Sequence, residues 1–304
     1  MLSCLCLLVL CLGWLLLQQL SWGPGHHLEF ARRVLRRRRE LLPAATARHI
    51  WAYRDCYRYG NLAADLISMK AYGGHQNHCH RWTIVETMRE RSSGTGEEEA
   101  FILGYLSHLA ADTIAHNHFV PYHLVRFARG RGLGHLYWEM MADRFVEDSH
   151  WDAVTRLQSL PALDPLDELI NTSVPRKALP MGTNRLIFNH VLLVARRRSW
   201  RKGIERLHPV ERVHLKSGFL RTFQRAAVDR IRLVLRPRGY RTLVHIDTTG
   251  RAAQREAAAL RKKLVREYRS GQARDDAGRE LAQPFLEHMQ SPPAGHRRAD
   301  PHWS

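Results

Sequence analysis

Phe101-Ile102-Leu103-Gly104-Tyr105-Leu106-Ser107-His108-Leu109-Ala110-Ala111 is apolar on all sides apart from Ser107 and His108. A surface helix carries an apolar stripe on one side only, so a helix of this kind belongs at the buried centre of a bundle. The helical reading extends outward in both directions. Helices are expected at His27–Leu42, Ala44–Tyr57, Trp82–Arg91, Glu97–His118, His135–Asp148, Trp151–Leu160, Asn184–Arg197, Pro209–Leu235, Arg251–Tyr268 and Asp275–Met289. Pro43, the run Ser92–Gly96, Pro121, Gly130–Gly134, Pro161, Pro175, Pro180 and Pro237 separate them. No stretch alternates apolar and polar residues for long enough to indicate a sheet, and the best strand candidate is Thr242–Ile246. The expected fold class is all-α, a multi-helix bundle with a basic helical C-terminal extension.

The 304 residues are 44% hydrophobic and 25% charged, which excludes a wholly disordered chain and a multi-span membrane protein. The net charge of +18 favours anionic partners. Fifteen Lys/Arg against three Asp/Glu fall between Arg196 and Arg241, two-thirds of the whole excess. Within that segment Val213, Leu220, Phe223, Ala227, Ile231 and Val234 recur at helical spacing. It reads either as a helix packed on the domain with its charges solvated, or as a face for anionic membrane or nucleic acid.

Cys4–Leu17 is an almost unbroken apolar run, shorter than the roughly 20 residues of a spanning helix and of the length of a signal-peptide core. It is expected to export the chain as a signal peptide, or to hold it as an uncleaved membrane anchor. The expected organisation is this leader over 1–21, a helical domain over 22–200, a basic helical extension over 201–291 and a disordered tail over 292–304. After the leader only Cys56 and Cys79 remain, too few for a disulfide framework. The sequence does not specify an oligomeric state.

The chemistry is concentrated in histidines, 12 of 19 lying in the first 150 residues. His108 and Asp112 are i, i+4 on one helix, with Cβ atoms about 5–6 Å apart, so an imidazole and a carboxylate reach one cation. His135 and Glu139 repeat the spacing. Either pair alone suits a solvated helix ion pair, but a His and an Asp buried in an apolar helix without partners would be costly. Between them, His116 continues the His108/Asp112 face, while His118 points elsewhere and suits a second metal with His135 and Glu139. Earlier candidates are His78-Cys79-His80, Asp65 near the end of a turn-rich stretch, where a cap or turn role is the simpler reading, and Trp22-Gly23-Pro24-Gly25-His26-His27.

The ordered series Trp22-x4-His27, Asp65, His80-x-Trp82, His108-x3-Asp112-x5-His118 and His135-x3-Glu139 resembles the bacterial zinc-dependent phospholipase C family. The related fungal single-strand zinc nucleases share the pattern. The resemblance runs from Trp22 to about Asp148 and implies an all-helical domain holding up to three Zn2+. It implies a first zinc on Asp65, His80, His108 and Asp112, and a second on His118, His135 and Glu139. A third would take His27, Asp112 as a bridge, and the free amine and carbonyl of Trp22. His116 is then a neighbour of the ligands or a substitute for one. The Trp22 amine is available only if the leader is removed directly before it.

The reaction implied is phosphodiester hydrolysis by an activated water, with Asp65 as the base and Glu139 as the other catalytic carboxylate. Phospholipid is the expected substrate, and the Arg196–Arg241 segment would meet an anionic membrane surface. A nuclease of the same superfamily is the less favoured alternative, because the segment offers only Trp200, Phe219, Phe223 and Tyr240 for base stacking. A non-catalytic metal-binding, membrane-associated protein is a third reading. The mixture of imidazole and carboxylate suits zinc, although manganese or iron use the same ligands.

Overall fold

In the computed structural model, the structure describes residues 22–68, 79–127, 138, 141–143, 145–196, 217–268, 271–287 and 289. The leader, His78, His135, Glu139, the tail beyond 292 and the basic stretch 197–216 lie outside them. The described elements are α1 (Pro24–Arg36), α2 (Arg38–Leu41), α3 (Ala44–Ala52), α4 (Arg54–Leu66), α5 (Trp82–Arg91) and α6 (Gly96–Ile114). A π turn (Ala115–Phe119) leads into α7 (Val120–Arg126). Then come α8 (Asp148–Gln158), α9 (Asp164–Ser173), α10 (Met181–Arg196), α11 (Ser217–Val234), α12 (Gly239–Leu243), α13 (Arg251–Glu267) and α14 (Gln272–Ala282). The fold is an all-α bundle with no strand among the described residues, none of whose helices is long and apolar enough to cross a membrane.

Helix α6 is the axis of the bundle. Thr95 caps it by accepting from Glu98 N at 3.3 Å, and Glu97, Glu98 and Glu99 complement the positive end of its dipole. From Ala100 to Ile114 every residue except Leu103 is buried. Helices α4, α11, α5 and α1 pack on it. Contact with α4 is closest because two glycines face each other. A Cβ on Gly104 would stand 2.1 Å from Tyr57 O, and one on Gly60 2.1 Å from Phe101 O. The two backbones touch there, and that contact lays Asn61 and Asp65 of α4 against His108 of α6.

Helix α11, from the basic segment, contributes Leu220, Phe223, Ala227, Ile231 and Val234 to the same core as Trp22 and Phe119. Helices α13 and α14 cover α7 through a smaller cluster of Val125, Ala257, Leu264, Ala282 and Phe285.

Several sequence expectations are corrected. Asp65 lies in the last turn of α4 and not in a turn-rich stretch. Asn61, which would compete for the backbone in a helix, instead donates to Tyr57 O at 2.9 Å within its own helix. The chain continues past Pro121, because proline in the first turn of α7 needs no donor there and the preceding π turn widens the backbone. The strand candidate Thr242–Ile246 is the end of α12 and a turn, and Ile246 O accepts the Trp82 indole N–H at 2.8 Å rather than a neighbouring strand. Helix α9 was not anticipated, since its Pro165 reads as a breaker yet occupies the first turn.

Candidate metal centre

Four segments converge beside α6. Helix α6 supplies His108 and Asp112, α4 supplies Asp65, α1 supplies His27, and the turn ahead of α5 supplies His80. All five side chains are buried. His108 Nε2 is 3.1 Å from Asp112 Oδ2, 3.0 Å from His80 Nε2 and 4.0 Å from Asp65 Oδ1. His80 Nε2 is 3.3 Å from Asp112 Oδ2 and 3.4 Å from Asp65 Oδ1. His27 Nε2 is 3.4 Å from Asp112 Oδ1, and its ring stacks on His108 at 3.7 Å.

The outer nitrogens determine what the inner ones present. His108 Nδ1 is 2.8 Å from Asn61 O, and a carbonyl can only accept, so Nδ1 carries the proton. The Cys79 thiol donates to Ala64 O at 3.4 Å, which leaves its sulfur to accept from His80 Nδ1 at 3.3 Å. In its neutral form each of these imidazoles turns its Nε2 lone pair toward the other and toward carboxylate oxygens. Among the described residues, neither nitrogen of His27 and neither oxygen of Asp112 has a hydrogen-bond partner. Such an arrangement is repulsive by itself, and a divalent cation turns each repulsion into coordination. Three imidazoles and two carboxylates are a zinc-type donor set. Two overlapping groups, His27/His108/Asp112 and Asp65/His80/His108, each bring their ligand atoms within 4.8 Å of one another. Burial, then the charge of His108, lowers the His27 pKa, which favours the neutral ligand form. Burial alone would raise the Asp112 carboxyl, but His108, with His27 and His80, holds it well below the usual range.

Trp22 is fully buried, and its indole donates to Ala111 O at 3.3 Å, which places it beside Asp112. His118 is in neither of these two groups, and its Nδ1 donates to Phe285 O at 2.9 Å, which leaves Nε2 as the acceptor nitrogen of the neutral ring. The residues expected beside it, His135 and Glu139, lie outside the described residues. His116 Nε2 is 3.9 Å from Asp112 Oδ2.

A polar chain anchors α1, and with it His27. His26 Nδ1 is 2.6 Å from Asp143 Oδ1, and its Nε2 accepts from Gln224 of α11 at 3.2 Å. Gln224 Oε1 accepts from Arg33, and Arg33 and Arg32 pair with Glu29 at 2.6 and 2.9 Å. His150 Nε2 lies 2.6 Å from the same carboxylate.

Residues 26–174 match the family model described as zinc dependent phospholipase C. Over this span the chain is similar to the zinc-dependent phospholipase C family. No curated protein and no solved structure matches the chain. All five clustered side chains fall within the matched span, yet contacts on its histidines also come from beyond it, Gln224 on His26 among them. Thr248 donates to His80 O, Gln254 lies 3.1 Å from His116 Nδ1, and Phe285 O holds His118. Sequence reasoning missed these contacts. The available signal was Asp247 ahead of α13, which accepts from Thr249 N and Arg251 N as a helix-start residue does.

Proposed function

We propose that this chain is a zinc-dependent phosphodiester hydrolase of phospholipase C type, exported with its leader removed directly before Trp22. The observation that carries the reading is the buried cluster in which His80 and His108 both turn Nε2 lone pairs onto Asp112. Asp65, His80, His108 and Asp112 would hold one zinc. His27 and Asp112, with the amine and carbonyl of Trp22, would hold another, and His118, His135 and Glu139 a third. When bound, zinc lowers the pKa of water from about 15.7 toward about 7 and neutralises charge on phosphoryl oxygens.

The chain's own groups do the rest. Asp65 orients the attacking water and accepts its proton, with Glu139 as the second carboxylate at the site. The water oxygen bonds to phosphorus, the bond to the glycerol oxygen breaks, and diacylglycerol leaves with that oxygen taking up the proton that Asp65 accepted from the water. Asn61 O and Cys79 Sγ keep the two imidazoles in register by fixing their Nδ1 protons. Exposed Arg221, Arg225, Arg236, Arg238 and Arg241 are placed to meet anionic headgroups. Phospholipid is favoured over nucleic acid because Phe223 is buried, Phe219 packs on Tyr122 and Phe223, and Tyr240 packs on Trp82, which leaves none of the three as a free stacking face.

The test is metal analysis of purified wild type beside His108→Ala and Glu139→Ala, with hydrolysis of a chromogenic phosphocholine ester and of single-stranded DNA. EDTA-sensitive activity on the ester is expected, with zinc reduced in both variants. Unchanged metal in both would defeat the ligand assignment, and bound zinc with no activity on either substrate would favour a non-catalytic metal protein. Mass spectrometry of the mature chain should give Trp22 as its first residue.

A further inference from the structure

Helix α13 begins against the cluster. Gly250, at φ 60°, lies so close to His116 that a Cβ would stand 2.3 Å from His116 O. One turn on, Gln254 Nε2 is 2.9 Å from Thr249 O and 3.1 Å from His116 Nδ1. A carbonyl only accepts, so the group facing Thr249 O is the amide NH2; rotating the amide by half a turn would press Oε1 against Thr249 O. The two amide hydrogens therefore go to Thr249 O and to His116 Nδ1. With Nδ1 accepting, the proton of the neutral ring sits on Nε2. That is the reverse of His80 and His108. His116 Nε2 lies 3.9 Å from Asp112 Oδ2, so it presents an N–H, not a lone pair, to a cluster in which His80, His108 and Asp112 present acceptors.

We propose that Gln254 is a positioning residue that locks His116 in its Nε2–H tautomer, making His116 a hydrogen-bond donor to a non-bridging phosphoryl oxygen of the substrate and not a metal ligand. The identity of the acceptor rests on the phosphodiesterase reading; the tautomer does not. The contact couples the π turn after α6 to a helix more than 130 residues away.

Imidazole nitrogen shifts of His116, read by long-range proton–nitrogen NMR in zinc-free and zinc-loaded wild type, test the tautomer. A pyrrole-type Nε2 and a pyridine-type Nδ1 are expected in both states. Gln254→Glu, nearly isosteric, should reverse the pattern, because a carboxylate accepts from Nδ1–H. Zinc content of His116→Ala should equal that of wild type. In both variants KM for the phosphodiester should rise about 10- to 100-fold, with kcat changing less. A pyridine-type Nε2 in wild type, or zinc lost with His116→Ala, overturns the proposal. A wild type that binds no zinc and hydrolyses nothing overturns the hydrolase reading and the phosphoryl acceptor with it, while the tautomer is still judged on the nitrogen shifts.

Discussion

Gly104→Ala tests whether contact between two helix backbones builds the metal centre. Alanine is the better helix former, by about 0.5–1 kcal/mol, so local propensity predicts a gain. The structure predicts a loss. The new Cβ would sit 2.1 Å from Tyr57 O and 2.9 Å from Gly60 Cα, where ordinary contact starts at 3.4 Å. Neither neighbour is a flexible side-chain tip, so α4 and α6 must part by about 1.3 Å, the shortfall against Tyr57 O. A separation of that size takes the 2.8 Å bond from His108 Nδ1 to Asn61 O beyond hydrogen-bonding reach. Overpacking costs about 1–3 kcal/mol and the orphaned buried pair about 1–3 more. Against the propensity gain, a net loss of about 1–5 kcal/mol is expected. Urea denaturation of zinc-free protein measures it, and zinc affinity should fall in parallel as His108 loses its restraint. An unchanged or raised urea midpoint with full zinc binding would refute the argument.

His123 is enclosed by Phe119, Tyr122, Phe127, Trp138, Phe219 and Phe223, and burial pushes its pKa down to about 3. Between that value and the unfolded value near ~6.5 the unfolded chain binds a proton that the folded one refuses, so stability present above ~6.5 is lost as pH falls toward 3. His123→Phe should flatten the decline of stability from pH 6.5 to 4, by up to a few kcal/mol, and parallel curves for both proteins would contradict the assignment. Gln224→Leu cuts the link from α11 to His26 and Arg33, so a loss of about 1–3 kcal/mol and weaker zinc binding through a loosened α1 are expected in melting and titration experiments. Glu29 is held below the usual carboxylate range although burial alone would raise it, because His150, Arg32 and Arg33 outweigh that effect. Its contribution is full above the unfolded value near ~4.3 and declines only as pH falls from there through the depressed folded value, so Glu29→Gln should lower Tm at pH 7 and by a smaller amount at pH 3.

The all-helical class was legible in the chain because helix periodicity is local, and the apolar run around Gly104 marks its own burial. The His108/Asp112 pair was legible for the same reason, since i, i+4 spacing sets two side chains on one face whatever surrounds them. Asp65 was read in the wrong local setting because Asn61 and Gly60 look like turn residues, and only packing against α6 shows why a helix keeps them. What the sequence could not contain was proton placement. Whether an imidazole offers a lone pair or an N–H depends on what its far nitrogen touches, and those partners are Asn61 O, Cys79 Sγ and Gln254, on other elements. Composition and spacing by themselves decided that this chain is helical and carries metal-type ligands. The tertiary structure decided which histidines face inward as acceptors, which faces inward as a donor, and that the C-terminal helices complete the centre, because hydrogen-bond direction follows from neighbours that only folding brings together.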